Sequence, residues 1–343
     1  MPAGKESASS RWWARHVWAA TAVLHFTAVV ALLICFRLIG ERLPRIVVLL
    51  YAPRVLYGAP LLVVTPLLFF RGPRRLLWLQ AVTALLVVGP LMGLHLNPPR
   101  ARRPSIRLLT YNVWFGARDP AAIAREVAAA DPDIVLFQAA AHAADVALRA
   151  PPFDRFHYLH ESDFVVASRY PIRVVDAGRS DPPRLGPPCV RFEAETPLGA
   201  MALFSVHPHS PRGAFQQLGG RGLLRLLPGG PPLDQGGAFR FLEQQLREID
   251  EASRKAGPLV VLAGDFNVPE PSALLAGLFP DTEDAFSSAG LGYGYTFPTG
   301  QRRFPWMRLD RVMVGPGLTA ISARVAGDRG SDHAALLVEI ARR

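Results

Sequence analysis

Leu259-Val260-Val261-Leu262-Ala263-Gly264-Asp265-Phe266-Asn267 is the stretch on which the reading of this chain turns. Its aliphatic run predicts a buried strand that stops on a glycine, a carboxylate and an amide. Gly264 lets the backbone turn closely, and a continued strand period would put Asp265 and Asn267 on one side. A carboxylate and an amide two residues apart suit a metal-bound water or a phosphate oxygen. An Asx turn after a core strand is the plainer alternative.

Working outward, the same arrangement recurs. Residues 106–111 read as a strand ending on Asn112, 134–138 as a second and 164–168 as a third, and 200–206 as one ending on His207. Strands at 308–314 and 334–340 close the chain, with Asp310 and the pair Asp332-His333 beside them. Asp119-Pro120 predicts an N-cap and first helical turn, opening an Ala-rich helix to Ala130. Leu242, Leu246 and Ile249 have helical spacing within 241–249, whereas 210–237 is rich in Gly and Pro and reads as a long loop. Short apolar runs separated by turn signals predict an α/β or α+β domain over 105–343. Asn112, His207, Asp265, Asn267, Asp310, Asp332 and His333 thereby become one candidate set. Together they supply oxygen ligands for a hard cation, a base for water, and donors for charge developing on phosphate.

Residues 1–104 differ in kind. Half of the 343 residues are hydrophobic and mean hydropathy is +0.18, high for a wholly soluble protein. Apolar runs at 17–39, 46–70 and 76–96 are long enough to cross a bilayer, the second broken by Arg54 and three prolines. A multi-pass membrane anchor is therefore expected, with the lipid bilayer as its partner and no protein partner. The formal charge of +10 sits wholly in this third, which carries 13 Lys/Arg against 2 Asp/Glu, while 105–343 carries 25 against 26. Such a balance argues against a basic nucleic-acid surface. Six basic residues flank each side of the spans, so the flanks do not set orientation; the extracytoplasmic face is the expected site of the second domain. Two cysteines, Cys35 and Cys189, make a disulfide framework or zinc cluster a poor fit. A transporter bundle fits poorly too, since Arg54 is the one clear charge inside the spans and no repeat occurs.

The motifs Thr110-Tyr111-Asn112-Val113, Ser168-Arg169-Tyr170-Pro171-Ile172, Ser205-Val206-His207-Pro208, Gly264-Asp265-Phe266-Asn267, Thr296-Phe297-Pro298, Arg308-Leu309-Asp310 and Ser331-Asp332-His333 resemble, in order, those of the endonuclease/exonuclease/phosphatase superfamily. The resemblance implies a four-layer α/β sandwich, two packed sheets with helices outside, and a Mg²⁺- or Mn²⁺-dependent phosphoesterase site. By the same resemblance Asn112 and Asp332 would sit at the metal, and Asp265 and Asn267 would orient water and contact phosphate. His333 would act as base or donor, oriented by Asp310, and His207 would donate to a non-bridging oxygen or the leaving group.

One position departs from the pattern. The family's second strand ends in Gln-Glu, the glutamate being a principal metal ligand; here Gln138-Ala139 follows. A methyl group cannot coordinate a cation, so a weak metal site is expected. His142 and Asp145, displaced by about a helical turn, are poor replacements. Two functions follow: a membrane-anchored phosphodiester hydrolase, nuclease-like or phospholipid-directed, or an inactive relative that binds a phosphorylated or lipid ligand.

Overall fold

The computed structural model describes residues 8–98, 100–101, 103–140, 153–179, 186–216, 237–300 and 304–343. His142 and Asp145 lie outside these. The chain divides into two compact units, Met1–Leu94 and His95–Arg343.

The first unit is helical. Three stretches, Arg15–Leu38, Arg54–Arg71 and Arg74–Leu91, are long and apolar enough to cross a membrane, by length and composition. The second apolar run is not one helix. Helix Pro44–Tyr51 stops at Ala52, which is extended because Pro53 follows it, and the next helical turn starts at Arg54. In the third run Pro90 lacks an N–H, and Val87–Leu91 widens into a π turn. Leu24, Leu62, Phe70, Trp78 and Leu85 are all more than 60 % exposed, a surface that lipid accommodates better than water.

The second unit holds the strands β1 His95–Leu96, β2 Ser105–Asn112, β3 Ile134–Gln138, β4 His157–Glu161, β5 Phe164–Ser168, β6 Ile172–Asp176, β7 Cys189–Thr196, β8 Gly199–Val206, β9 Val260–Asp265, β10 Glu283–Asp284, β11 Leu291–Gly292, β12 Asp310–Val314, β13 Leu318–Val325 and β14 Leu336–Arg342. One sheet has the order β10-β12-β9-β8-β7-β6 and the other β13-β14-β2-β3-β5-β4; β1 and β11 form a two-stranded ribbon. Pairing is antiparallel except β2 with β3 and β8 with β9, so both sheets are mixed.

Strand alternation builds the layers. Ile106, Leu108, Leu136, Leu203, Val261, Ala263, Val312 and Val338 meet between the sheets. On the outer face of one sheet Leu109, Tyr111, Val135 and Phe137 pack against Ile123 and Val127 of helix Pro120–Ala130. On the outer face of the other, Phe204, Val206 and Leu262 pack against Leu242, Leu246 and Ile249 of helix Ala238–Arg254. The result is the expected four-layer sandwich. Asp119 caps its helix as predicted, its carboxylate accepting from Ala122 N–H at 3.0 Å. The Gly/Pro-rich stretch contains a short helix, Arg212–Gln216, and 217–236 lie outside the described residues.

Candidate active site

The alternation that fills the core also assembles the site. Counting by twos along the inner face leads from Ile106 and Leu108 to Thr110 and Asn112, from Ile134 and Leu136 to Gln138, and from Leu203 to Ser205 and on to His207. It leads likewise from Val261 and Ala263 to Asp265, and from Val314 and Val312 back to Asp310. Each strand thus exchanges an aliphatic side chain for a polar one at the same end of the sandwich.

Asp265 and Asp310 are direct cross-strand partners, each at most 2 % exposed. Two like charges so placed repel unless a cation intervenes. His333 supplies one: its Nδ1 lies 2.8 Å from Asp310 Oδ2 and its Nε2 3.6 Å from Asp265 Oδ2. Burial pushes the His333 pKa down, but the two carboxylates overcome this and raise it to about 9. Phe297 lies against the imidazole, with ring centroids 4.7 Å apart. His207 Nε2 is 3.8 Å from the same Asp265 oxygen, and there burial dominates over the nearby Asp265 charge and lowers the pKa. The two imidazoles flanking one carboxylate are therefore driven in opposite directions.

Asp265 is held at both oxygens. Oδ2 accepts from the Asn112 amide at 3.0 Å and Oδ1 from Asn267 N–H at 2.8 Å. Gly264 makes this possible at φ +152°, where an added Cβ would sit 1.9 Å from the Val206 carbonyl oxygen. Asn267 does not continue the strand period. With φ +56° it turns its amide away to donate to Pro208 O at 3.0 Å, pinning the loop that carries His207.

Asn112, His207, Asp265, Asn267, Asp310 and His333 are thus brought together. Asp332 is half-buried at the margin, Oδ1 3.4 Å from Ser331 Oγ, and adds a lesser negative charge to the surroundings of His333. Ala139 is buried at φ +48°, and its carbonyl accepts Phe115 N–H at 2.5 Å. Asp163 stands next to it in space, its carbonyl accepting Ala140 N–H at 2.9 Å. Three supporting residues escaped assignment from sequence. Gln138 joins Thr110 and Ser205 across the two sheets, at 3.2 and 3.0 Å. Thr296 Oγ1 accepts the N–H groups of Leu309 and Asp310. Ser331 Oγ donates to Asn112 O at 2.7 Å. All three lie within or beside the quoted motifs, which was the available signal.

Asp265, Asp310 and His333 each offer a donor atom, and these lie within 4.8 Å of one another. Asp310 Oδ1 is buried with no hydrogen-bond partner, an acceptor that a cation or water would satisfy. Two carboxylates, one of them with a free oxygen, fit a hard divalent ion by charge and donor type.

No curated protein matches the chain. Solved structures similar to it include an endonuclease/exonuclease/phosphatase from Beutenbergia cavernae DSM 12333, at 17 % identity over 70 % of this chain and 72 % of that one, TM-score 0.49. D. rerio TDP2 with a single-strand DNA product has 16 % identity over 70 % and 100 %, TM-score 0.49. The mannosyl-6-phosphatase Bt3783 of Bacteroides thetaiotaomicron VPI-5482 has 19 % over 69 % and 100 %, TM-score 0.47. Residues 109–333, nearly two thirds of the chain, match the model of one family, and the chain belongs to the endonuclease/exonuclease/phosphatase family.

Proposed function

We propose that this chain is an integral membrane phosphodiester hydrolase with a weakened divalent-metal site. The observation that carries the reading is the buried constellation of Asp265, Asp310 and His333, with His207 and Asn112 against it. Asp265 and Asp310 would hold a Mg²⁺ or Mn²⁺ ion, with Asn112 and Asp332 as neighbouring oxygen donors. When bound, such an ion neutralises charge on the phosphate oxygens.

The chain's own residues carry the remaining work. Asp310, bonded to Nδ1, fixes the orientation of His333 and leaves Nε2 to donate to a phosphate oxygen. Asp265, immobilised by Asn112 and Asn267, orients the attacking water by accepting its hydrogen bond. His207, on the loop that the Asn267 clamp on Pro208 holds, would donate the N–H of its neutral ring to a non-bridging oxygen or to the leaving group. The three apolar stretches anchor the domain in a bilayer. Because 105–343 is near neutral in charge, a phospholipid-type diester is favoured over nucleic acid.

Ala139 supports a second reading, a non-hydrolysing binder of phosphorylated or lipid ligands. Hydrolysis of bis(p-nitrophenyl) phosphate by the full chain in detergent, with Mg²⁺ or Mn²⁺, separates the two. Turnover abolished by His333→Ala supports the hydrolase. An inert wild type that Ala139→Glu activates supports the binder.

A further inference from the structure

The segment that follows the last apolar stretch is sewn into the second unit rather than left as a linker. His95 and Leu96 pair with Gly292 and Leu291 as the β1–β11 ribbon. Asn97 donates from its amide to Ser287 O at 2.9 Å and Gly290 O at 3.2 Å. Arg100 Nη1 donates to Glu283 at 2.9 Å, Thr319 Oγ1 at 2.6 Å and Ala320 O at 2.7 Å. These bonds fix the ribbon on its domain.

Leu96 and Leu291 are direct cross-strand partners on this ribbon, yet they are 70 % and 73 % exposed. Paired on one fixed ribbon, the two leucines form a small contiguous apolar patch that a lipid surface would cover. The chain's connectivity places such a surface nearby. Leu91 ends the stretch Arg74–Leu91, whose 18 residues span about 27 Å as a helix, close to the hydrocarbon thickness of a bilayer. From Leu91 to Leu96 the chain can extend at most about 18 Å. Main-chain hydrogen bonds back to Gly89 continue through Leu94, which shortens that reach further. The leucine pair is thereby confined to the neighbourhood of the headgroup layer.

We propose that the β1–β11 ribbon is a membrane-docking element that seats Leu96 and Leu291 in the lipid–water interface of the bilayer. This rests on the membrane-anchored reading above. The docking has a consequence for the site. Past Gly292 the chain runs through the stacked pair Tyr293 and Tyr295, of the residue type that membrane interfaces favour, directly to Thr296, which holds the Asp310 N–H. Thr296 lies four residues past Gly292, so a ribbon seated on lipid tethers Thr296 within about 14 Å of it along the chain.

The test uses the full chain in lipid nanodiscs, in a Cys35→Ala/Cys189→Ala background. An environment-sensitive fluorophore is attached at Leu96→Cys, at Leu291→Cys, or at Val175→Cys on β6, an edge strand of a six-stranded sheet and not part of the ribbon. Lipids carrying a spin label near the headgroup serve as quenchers. At both ribbon positions, quenching at least about twofold stronger than at Val175→Cys is expected for side chains inserted to roughly 5–10 Å. Equal, weak quenching at all three positions in protein that co-purifies with discs overturns the docking and leaves the anchor intact. Protein that stays soluble without lipid or detergent overturns both. Two label positions on opposite strands guard against a label that disturbs folding.

Discussion

Arg308→Met is the sharpest probe of how the catalytic strand is held. The Arg308 side chain is 2 % exposed. Nε donates to Glu270 at 2.9 Å with Nη2 on the same carboxylate, Nη1 donates to Asp284 at 2.6 Å, and Nη2 also reaches Ser287 Oγ at 2.8 Å. Without the guanidinium, Asp284 keeps Arg311 at 2.8 Å and the Ser287 N–H at 2.9 Å. Glu270 keeps His95 at 3.4 Å. Removing one partner of a buried ion pair costs about 3–5 kcal/mol, and since Glu270 is 27 % exposed and regains some water, the loss should sit near 3 kcal/mol. At roughly 2–4 °C per kcal/mol, Tm should fall by about 6–12 °C. Thermal unfolding of the full chain in detergent, followed by tryptophan fluorescence over a pH series, measures this. Burial alone would raise both acids, but the Arg308 charge holds Glu270 far below the carboxylate range and Asp284 at about 2. Depressed carboxylates stabilise fully above their unfolded pKa near 4 and lose that contribution as pH falls toward the folded values. Wild type should therefore lose stability between about pH 5 and 2, and Arg308→Met should show a shallower slope. Adding Glu270→Gln to the variant should recover part of the loss by removing the stranded acid. A loss below about 1 kcal/mol, or no recovery from Glu270→Gln, would refute the reasoning.

Further perturbations probe other supports. Gly264→Ala must move the Val206 carbonyl on a paired strand, so chemical denaturation should show a loss above about 3 kcal/mol; a variant within 1 kcal/mol of wild type would contradict the close approach. Asp310→Asn keeps shape but not the charge on His333, and kcat should drop by about 10²–10⁴ with KM little changed; unaltered turnover would remove Asp310 from the mechanism. Asp119→Ala removes a helix cap outside the site and should cost about 1 kcal/mol with hydrolysis unaffected, an expectation that a change in kcat would defeat.

What could be read from the sequence was whatever period two controls. Strands β2, β3, β8, β9 and β12 carry their own signal because aliphatic residues recur on the inner face until a polar one replaces them, and that replacement marks the site end. Features made by non-local contacts were silent. The two-residue strands β1 and β11 exist because they find each other across nearly two hundred residues, so His95 and Leu96 look like the tail of an apolar run. Asn267 shows where the periodic argument stops. Its left-handed φ breaks the alternation, and the side chain expected beside Asp265 instead clamps the His207 loop.

Ala139 lies on the same boundary between periodic and aperiodic chain. Gln138 is the last inner-face residue of β3, so plain alternation would send residue 139 outward; the left-handed turn at Ala139 sets its direction instead. That turn already accommodates a side chain with a Cβ, and its fixed contact, the carbonyl bond to Phe115 N–H, belongs to the main chain. Ala139→Glu therefore alters side-chain chemistry while the same backbone bond remains available. If the position adjoins the cation site, Mn²⁺ affinity of the purified full chain should rise by at least about tenfold, about 1.4 kcal/mol, whether or not turnover appears. Unchanged affinity would mean that the cation is held by Asp265, Asp310 and their neighbouring oxygen donors without position 139, and that the lost glutamate is no measure of what this site can do.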